Sequence, residues 1–429
     1  MRCEKPEKEV IFYGAGPYLA KNLKRLRKEG YAPVCVCDID DTKRNRPFCG
    51  QDGLQVLLLD EALERFPGAP FYVTVDHTAL GNVLHYLTAE CGIPEDRIVN
   101  YVPIEYRLGC AELETSIKFR TDRIFVRCYW RHPGIKRGTD TAEDIQRFDR
   151  WREQTIAAIR DGCPSPCDGC EYLKPGWYPV ERQLTSLQIS DSNEHSYCNF
   201  NCTYCFVHAK NKRATECADG VDEQLNVLRY VSETLNHQTL ELQFSTGELT
   251  VHPHRDEILE HFRRYQTTLF TNAGIYHEKI ADLMSQGLLS IVVSMDSGTS
   301  ETFRKIKNVD CYEQVRENLV RYADTGGCII LKYIMLPDLN DNDADADGFI
   351  DLAARLGAVV QLSNDTRTRC APLPEKALRI VCRLAEKARE HDLLVIHERE
   401  VFSSGDNAAI REVLKGHGAA DSLRSDVRL

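Results

Sequence analysis

Apolar and polar positions alternate in two blocks along the chain. Residues 10–13 are a short apolar, β-prone run, followed by the turn Gly14-Ala15-Gly16-Pro17 and by Leu19, Leu23 and Leu26 at helical spacing. A second such run, 34–37, ends at Asp38. Strands are expected again at 54–59, 71–75 and 98–100, with helices at 60–65 and 79–90. This order predicts a small Rossmann-like parallel α/β domain over residues 1–105. From residue 184 the alternation returns on a larger scale. Strands are expected at 184–190, 240–244, 267–271, 289–294, 329–335 and 358–362. Helices at 225–235, 256–265, 277–286, 312–325 and 349–356 separate them. Regular βα alternation means parallel strands, so residues 183–365 read as a partial (β/α)6 TIM-like barrel. Residues 106–182 are a connector. It holds a 122–129 strand, a turn at Arg131-His132-Pro133-Gly134, and an amphipathic 141–160 helix with Ile145, Phe148, Ile156 and Ile159 on one side. Residues 366–429 are a C-terminal α/β extension, with one more strand at 393–396.

A chain of 429 residues has room for two or three such domains. Its net charge of −11 argues against nucleic acid as the main partner, and no RNA-binding module is recognisable. The N-terminus lacks the apolar core of a signal peptide, and no apolar run is long enough to span a bilayer. A cytoplasmic protein is expected. Composition changes the picture at one point: 18 cysteines. In a reducing compartment scattered cysteines are small core residues, and clustered ones bind metal. Cys35, Cys37, Cys128, Cys328 and Cys382 lie in apolar contexts and read as core.

Two clusters do not. Cys198, Cys202 and Cys205 stand at CxxxCxxC spacing, with Tyr204 before the last. Thiolates so spaced on one loop can converge on a [4Fe–4S] cluster, which takes four ligands. The fourth iron is left for a distant cysteine, or for a substrate or cofactor. Cys163, Cys167 and Cys170 repeat the spacing on a loop stiffened by Pro164, Pro166 and Gly169. Three readings fit that triple: a second iron–sulfur cluster, which is preferred, a structural zinc, or a loop whose cysteines bind nothing. Cys110, Cys217, Cys311 and Cys370 are the candidates for its fourth ligand. In α/β barrels chemistry sits at the carboxyl ends of strands. The first triple, Gly247-Glu248, Asn272, Ser294 and Asp296 all fall at such ends.

From residue 184 to 362 the chain resembles the radical S-adenosylmethionine (radical SAM) superfamily. Four motifs in order carry the resemblance: the first cysteine triple, Thr246-Gly247-Glu248-Leu249, Thr271-Asn272-Ala273 and Ser294-Met295-Asp296-Ser297. The second departs from the family's Gly-Gly-Glu-Pro at its first and last positions. The third has alanine where the family has glycine. The resemblance implies that Cys198, Cys202 and Cys205 hold a [4Fe–4S] cluster whose fourth iron binds SAM. It implies that Tyr204 packs on the adenine and that Gly247 and Glu248 meet the SAM amino group. Asn272, Ser294 and Asp296 become ribose or carboxylate contacts, with Lys332 a further candidate. It also implies an external one-electron reductant, flavodoxin- or ferredoxin-like. The family's cysteine-rich C-terminal extension is missing, since only Cys370 and Cys382 follow residue 362.

Residues 1–105 resemble, more loosely, Rossmann-like modules attached to some bacterial sugar-modifying enzymes. The glycine turn suits a phosphate and Asp38 a ribose diol, but the third glycine position is Leu19. Nucleotide binding and a nucleotide-free holding module both stay open. The resulting expectation is a radical SAM enzyme acting on a small molecule, with a sugar or nucleotide-sugar as the candidate. The alternatives are modification of a peptide or protein, and a non-catalytic iron–sulfur electron-transfer or assembly protein. Four other features look like sites. Residues 343–348 copy the first half of a calcium loop, but Ala354 replaces the closing glutamate, so they read as an acidic loop capping a helix from Phe349. His252 and His254 read as an exposed loop, His397, Glu398 and Glu400 as a solvated strand end, and His208 equally as an outer contact of the cysteine loop or an exposed helix start.

Overall fold

The computed structural model describes residues 8–40, 43–48, 53–120, 123–128, 134–138, 140–170, 172–190, 197–205, 218–234, 240–245, 247–415 and 420–421. The first block is β1 (Lys8–Tyr13), α1 (Pro17–Lys28), β2 (Tyr31–Cys37), β3 (Val56–Leu57), α2 (Leu59–Arg65), β4 (Phe71–Val73) and α3 (Leu80–His85). Its strands form a parallel four-stranded sheet in the order β3-β2-β1-β4. The expected strand at 98–100 is reduced to one bridge between Phe71 and Ile98. Val10, Phe12, Leu19, Leu23 and Leu26 pack on one face, and Ile11, Tyr13, Cys35 and Cys37 on the other.

Next come β5 (Ile104–Gly109), α4 (Ala111–Thr115), β6 (Ser116–Phe119), β7 (Arg123–Phe125), β8 (Ile135–Lys136), α5 (Thr141–Arg160) and β9 (Lys174–Pro179). The side chain of Asp140 caps α5 by accepting from the Glu143 N–H. β5 and β9 pair antiparallel, so the segment returns on itself. The barrel block is β10 (Ser186–Ser190), α6 (Ala218–Thr234), β11 (Glu241–Ser245), α7 (Arg255–His261), β12 (Gln266–Phe270), α8 (Glu278–Ser285), β13 (Leu289–Ser294), α9 (Ser300–Lys307), α10 (Tyr312–Ala323), β14 (Ile329–Met335), α11 (Asp343–Leu356) and β15 (Val359–Asn364). The chain ends in α12 (Glu375–Glu390), β16 (Val395–His397), α13 (Ser404–Leu414) and β17 (Ala420–Asp421).

All of β10 to β17 run parallel in sequence order, and β6 adds in parallel beside β10. β7 and β8 continue that edge antiparallel. The sheet therefore reaches past the six expected barrel strands on both sides. Period-2 alternation divides its residues. Leu187, Ile189, Leu242, Phe244, Ile291, Val293, Leu331, Tyr333, Val360 and Leu362 pack against the helices in one core. Between them lie Ser186, Gln188, Gln243, Ser290, Lys332 and Gln361.

The 343–348 segment is the first turn and a half of α11, not a loop. Asn342 caps the helix, and the Asp345 carboxylate accepts the N–H groups of Gly298 and Thr299. Gly348 is needed for contact: a Cβ there would stand 2.4 Å from the Gly298 carbonyl oxygen.

α1 covers the end of the large sheet where its strands start. Lys24 Nζ donates to the Thr325 carbonyl at 2.6 Å, and Asn22 Nδ2 to Glu241 at 3.5 Å. Ala20 packs with Phe270, Val292, Ile330, Val359, Leu394 and Ile396. Gly287 makes the approach close, since with φ +73° a Cβ would lie 2.8 Å from the Arg25 nitrogen. Gly287→Ala is expected to cost about 1–3 kcal/mol from backbone strain alone. A lowered midpoint in chemical denaturation, with iron content unchanged, is the check.

Candidate functional site

The residues singled out for chemistry gather at the opposite end, where the parallel strands finish. The loop after β10 carries Tyr197, buried against the ring of His252 at 5.2 Å, and then the first cysteine triple. Phe200 is buried and meets Phe303 edge-on at 6.2 Å. Cys198, Cys202 and Cys205 are half-buried, and every described cysteine is free of disulfides. The Cys205 N–H donates to the Cys202 carbonyl at 3.2 Å, which makes the CxxC half a tight turn. From the far side Arg367 donates to the Thr203 carbonyl at 2.9 Å.

Asn272 is brought to this loop. Its Nδ2 donates to Asn199 Oδ1 at 2.8 Å and lies 3.9 Å from Cys198 Sγ. Behind it, Glu248 is 1% exposed. Oε1 accepts from the Thr250 N–H, the Thr250 hydroxyl and the Thr271 hydroxyl at 3.0, 2.8 and 3.0 Å. Oε2 accepts from the Asn272 N–H at 2.6 Å and also lies 2.9 Å from the Thr271 hydroxyl. Burial pushes this carboxyl's pKa up, and those donors pull it back. Glu248 is thus the post that holds the end of β12, and its oxygens face protein donors. Gly247, at φ 38°, makes the turn before it. Ala273, where the family has glycine, sits at φ 53°, a region that glycine enters freely.

Ser294 ends β13 half-buried. Asp296 is fully buried, with Lys307 and the Tyr204 hydroxyl on Oδ2 and the Ile334 N–H on Oδ1. That geometry turns Asp296 away from a ribose: both oxygens are spent inside the protein. The Tyr204 hydroxyl points into the same buried network, and its ring packs beside Ile306, Ile334 and Leu336. Burial and Asp296 raise the Tyr204 pKa. Asn272 is therefore the candidate that reaches the cysteines, with Glu248, Asp296 and Tyr204 as the frame behind it and the Ser294 side chain on Tyr204.

Lys332 lies level with Ser294 and Gln361 across three strands. It pairs with Glu398 at 2.8 Å, and Gln361 donates to the same carboxylate. His397 is wholly buried against Phe402, and burial pushes its pKa down to about 4. The solvated strand end expected at 397–400 is thus a packed one. His252 is likewise buried, with its pKa near 4 because burial and His254 disfavour the charge. His208, Thr246 and Cys217 lie outside the described residues.

The second triple follows α5. Cys163 is exposed, while Cys167 and Cys170 are half-buried around a turn held by Ser165 and Asp168. Of the candidate fourth ligands, Cys110 follows Gly109, whose partner in the β5–β9 ladder is Lys174, just beyond the triple. The Tyr178 hydroxyl sits between the Gly109 and Lys174 carbonyls at 2.9 and 3.0 Å, within donating distance of either. Cys311 instead stands just before α10, and Cys370 lies by Glu400. Among the described residues no three His, Cys, Asp or Glu side chains stand together at metal-binding distance.

The model of the radical SAM superfamily matches residues 195–351. The chain carries a radical SAM domain. Curated relatives include a probable GTP 3′,8-cyclase of Thermococcus kodakarensis, 27% identical over 42% of this chain and 57% of its own length. The GTP 3′,8-cyclase of Helicobacter pylori is 25% identical over 38% of the chain and 50% of its own. The chain spans about half the length of the curated relatives it matches. Among solved structures, Streptococcus suis SuiB bound to the precursor peptide SuiA aligns at 13% identity and TM-score 0.43, over 67% of this chain and 60% of that one. Radical SAM domains use a [4Fe–4S] cluster and SAM. The donor set fits that group: three cysteines outside any disulfide on one anchored loop, with an amide beside the first.

In the small domain Asp38 does not wait for a ribose. Its Oδ2 accepts the Ala15 N–H of the glycine turn and the Lys43 ammonium, each at 2.7 Å. The small domain, open to reading as a holding module, meets the large sheet through α1 at the end remote from the cysteines. No helix is long and apolar enough to cross a membrane among the described residues.

Proposed function

We propose that this chain cleaves SAM reductively at Cys198, Cys202 and Cys205 and abstracts hydrogen from a small molecule. The observation that carries the reading is Asn272. A buried carboxylate fixes its backbone, and its side chain reaches the cysteine loop at the carboxyl end of a parallel sheet. The cluster, when bound, supplies the electron, and SAM supplies the radical. The chain's own part is to set the thiols in place, orient SAM through Asn272, and exclude water. A protein that only stores or relays electrons needs neither Asn272 nor the Glu248 post.

A nucleotide or nucleotide-sugar is the substrate class we favour, because the relatives are named for a reaction of GTP. Binding falls to the polar inner face around Gln361 and the Lys332–Glu398 pair, since α1 lies at the other end of the sheet. An external flavodoxin- or ferredoxin-like protein delivers the electron. The test is anaerobic reconstitution with iron and sulfide, reduction with SAM, and measurement of 5′-deoxyadenosine, alone and with GTP or nucleotide-sugars. An intact cluster that yields no 5′-deoxyadenosine would sink the reading.

The second triple is proposed to hold a further iron–sulfur cluster, with zinc as the other outcome. Cys167→Ala is expected to lower iron content by about four atoms per chain if a [4Fe–4S] cluster is lost. Loss of zinc with iron unchanged identifies the structural metal instead.

A further inference from the structure

The carboxyl end of α9 is the surface on which the cysteine loop rests. A helix end leaves carbonyls without helical partners. Those of Ile306 and Lys307 accept the N–H groups of Thr203 at 2.9 Å and Asn201 at 3.2 Å. Asn308, in the left-handed region at φ 55°, stops the helix and donates from Nδ2 to the Asn201 carbonyl at 2.7 Å.

The Lys307 side chain does not run out to water; the residue is 2% exposed. Its ammonium donates to the Tyr204 hydroxyl oxygen at 2.7 Å, to the Ser294 carbonyl and to Asp296. All three protons are used. The Asp296 main chain is held as well, by Asn340 Nδ2 on its carbonyl at 2.8 Å. A buried ion pair is tolerated when its remaining donors and acceptors are satisfied, and this one is. Most of its partners belong to the ends of β13 and β14. Its link to the cysteine loop is Tyr204, which with Thr203 lies between Cys202 and Cys205.

We propose that Lys307 is a positioning residue for the iron–sulfur cluster: paired with Asp296, it pins Tyr204 and so sets the Cys202–Cys205 turn. This rests on the reading of Cys198, Cys202 and Cys205 as cluster ligands. The bland reading is that Lys307 merely neutralises Asp296. The two differ in what happens when both charges go together, and in whether the tyrosine hydroxyl matters.

The experiment uses full-length protein in a Cys163→Ala/Cys167→Ala/Cys170→Ala background, so that one cluster is observed. Lys307→Met/Asp296→Asn and Tyr204→Phe are reconstituted anaerobically beside the parent. Iron release to a chelator and the electron paramagnetic resonance signal of the reduced cluster, with and without SAM, are the readouts. Loss of an outer partner of a metal ligand typically weakens metal binding about 10- to 100-fold. We expect iron loss accelerated on that scale in both variants, with an altered resonance line, while thermal melting still shows a folded protein. A folded double variant and a Tyr204→Phe variant that both hold iron like the parent overturn the proposal. If the double variant does not fold, Tyr204→Phe decides alone. A parent that binds no cluster defeats the underlying reading instead, which is a different result.

Discussion

Cys202→Ala is expected to abolish 5′-deoxyadenosine formation and to remove the SAM-binding cluster, with little change in stability. On the proposed reading each cysteine of the triple would hold one iron, so two thiolates would leave a second iron open and the cluster labile. The fold does not depend on that sulfur. The loop is fixed by buried Phe200, by the Asn201 and Thr203 N–H groups on the end of α9, and by Arg367 on the Thr203 carbonyl. A half-buried side chain away from those anchors should cost within about 1 kcal/mol. The measurement pairs iron content and product formation with a denaturant midpoint. Retained SAM cleavage would show that Cys202 is not a ligand. Collapse of the midpoint would show that the loop depends on the sulfur itself.

The sheet was easiest to read where its strands are buried on both faces. β13 and β14 fall on the expected residues, because β-prone apolar runs stand between breakers, Gly287 before the first, and Gly326-Gly327 before and Pro337 after the second. α5 is equally clear, with Asp140 before it and an apolar stripe along it. The antiparallel pairing of β5 with β9 escaped, since the partners lie far apart in sequence and register across such a gap has no local signal. α9 also escaped, and with it the anchor of the cysteine loop. Its charged residues hide Phe303 and Ile306, although Thr299 caps it in the expected way. Lys307 reads as a solvated lysine in any window of sequence, because only packing against Asp296 and Tyr204 makes it internal. The motif residues lie at the ends of β11, β12 and β13, but which of them reach the cysteine loop and which form the buried frame was not visible in the sequence. Glu248 and Asn272 look alike as polar strand ends; burial separates them. The small domain shows the same limit. Its glycine turn and Asp38 suggested a ligand, whereas the side chain of Asp38 closes the turn itself.

Glu248→Ala is the substitution expected to damage stability most. It strips acceptors from the Thr250 and Asn272 N–H groups and from two threonine hydroxyls, in a place that water does not reach. An unsatisfied buried donor costs about 1–3 kcal/mol, so a loss of about 3–5 kcal/mol is expected, together with weaker SAM binding as the end of β12 loosens. Glu248→Gln keeps one acceptor and should cost less. The pH dependence separates the two causes. Burial raises the folded-state pKa of Glu248 above its ordinary value, so the folded protein binds this proton more tightly than the unfolded chain. Its contribution is complete below the unfolded pKa and fades as pH rises through the folded one. Glutamine has no such proton. The stability gap between wild type and Glu248→Gln should therefore be widest in acid and narrow as pH rises through that window. Denaturant midpoints of both proteins across that range test it, and a gap that widens with pH would mean that the donors outweigh burial at this carboxylate.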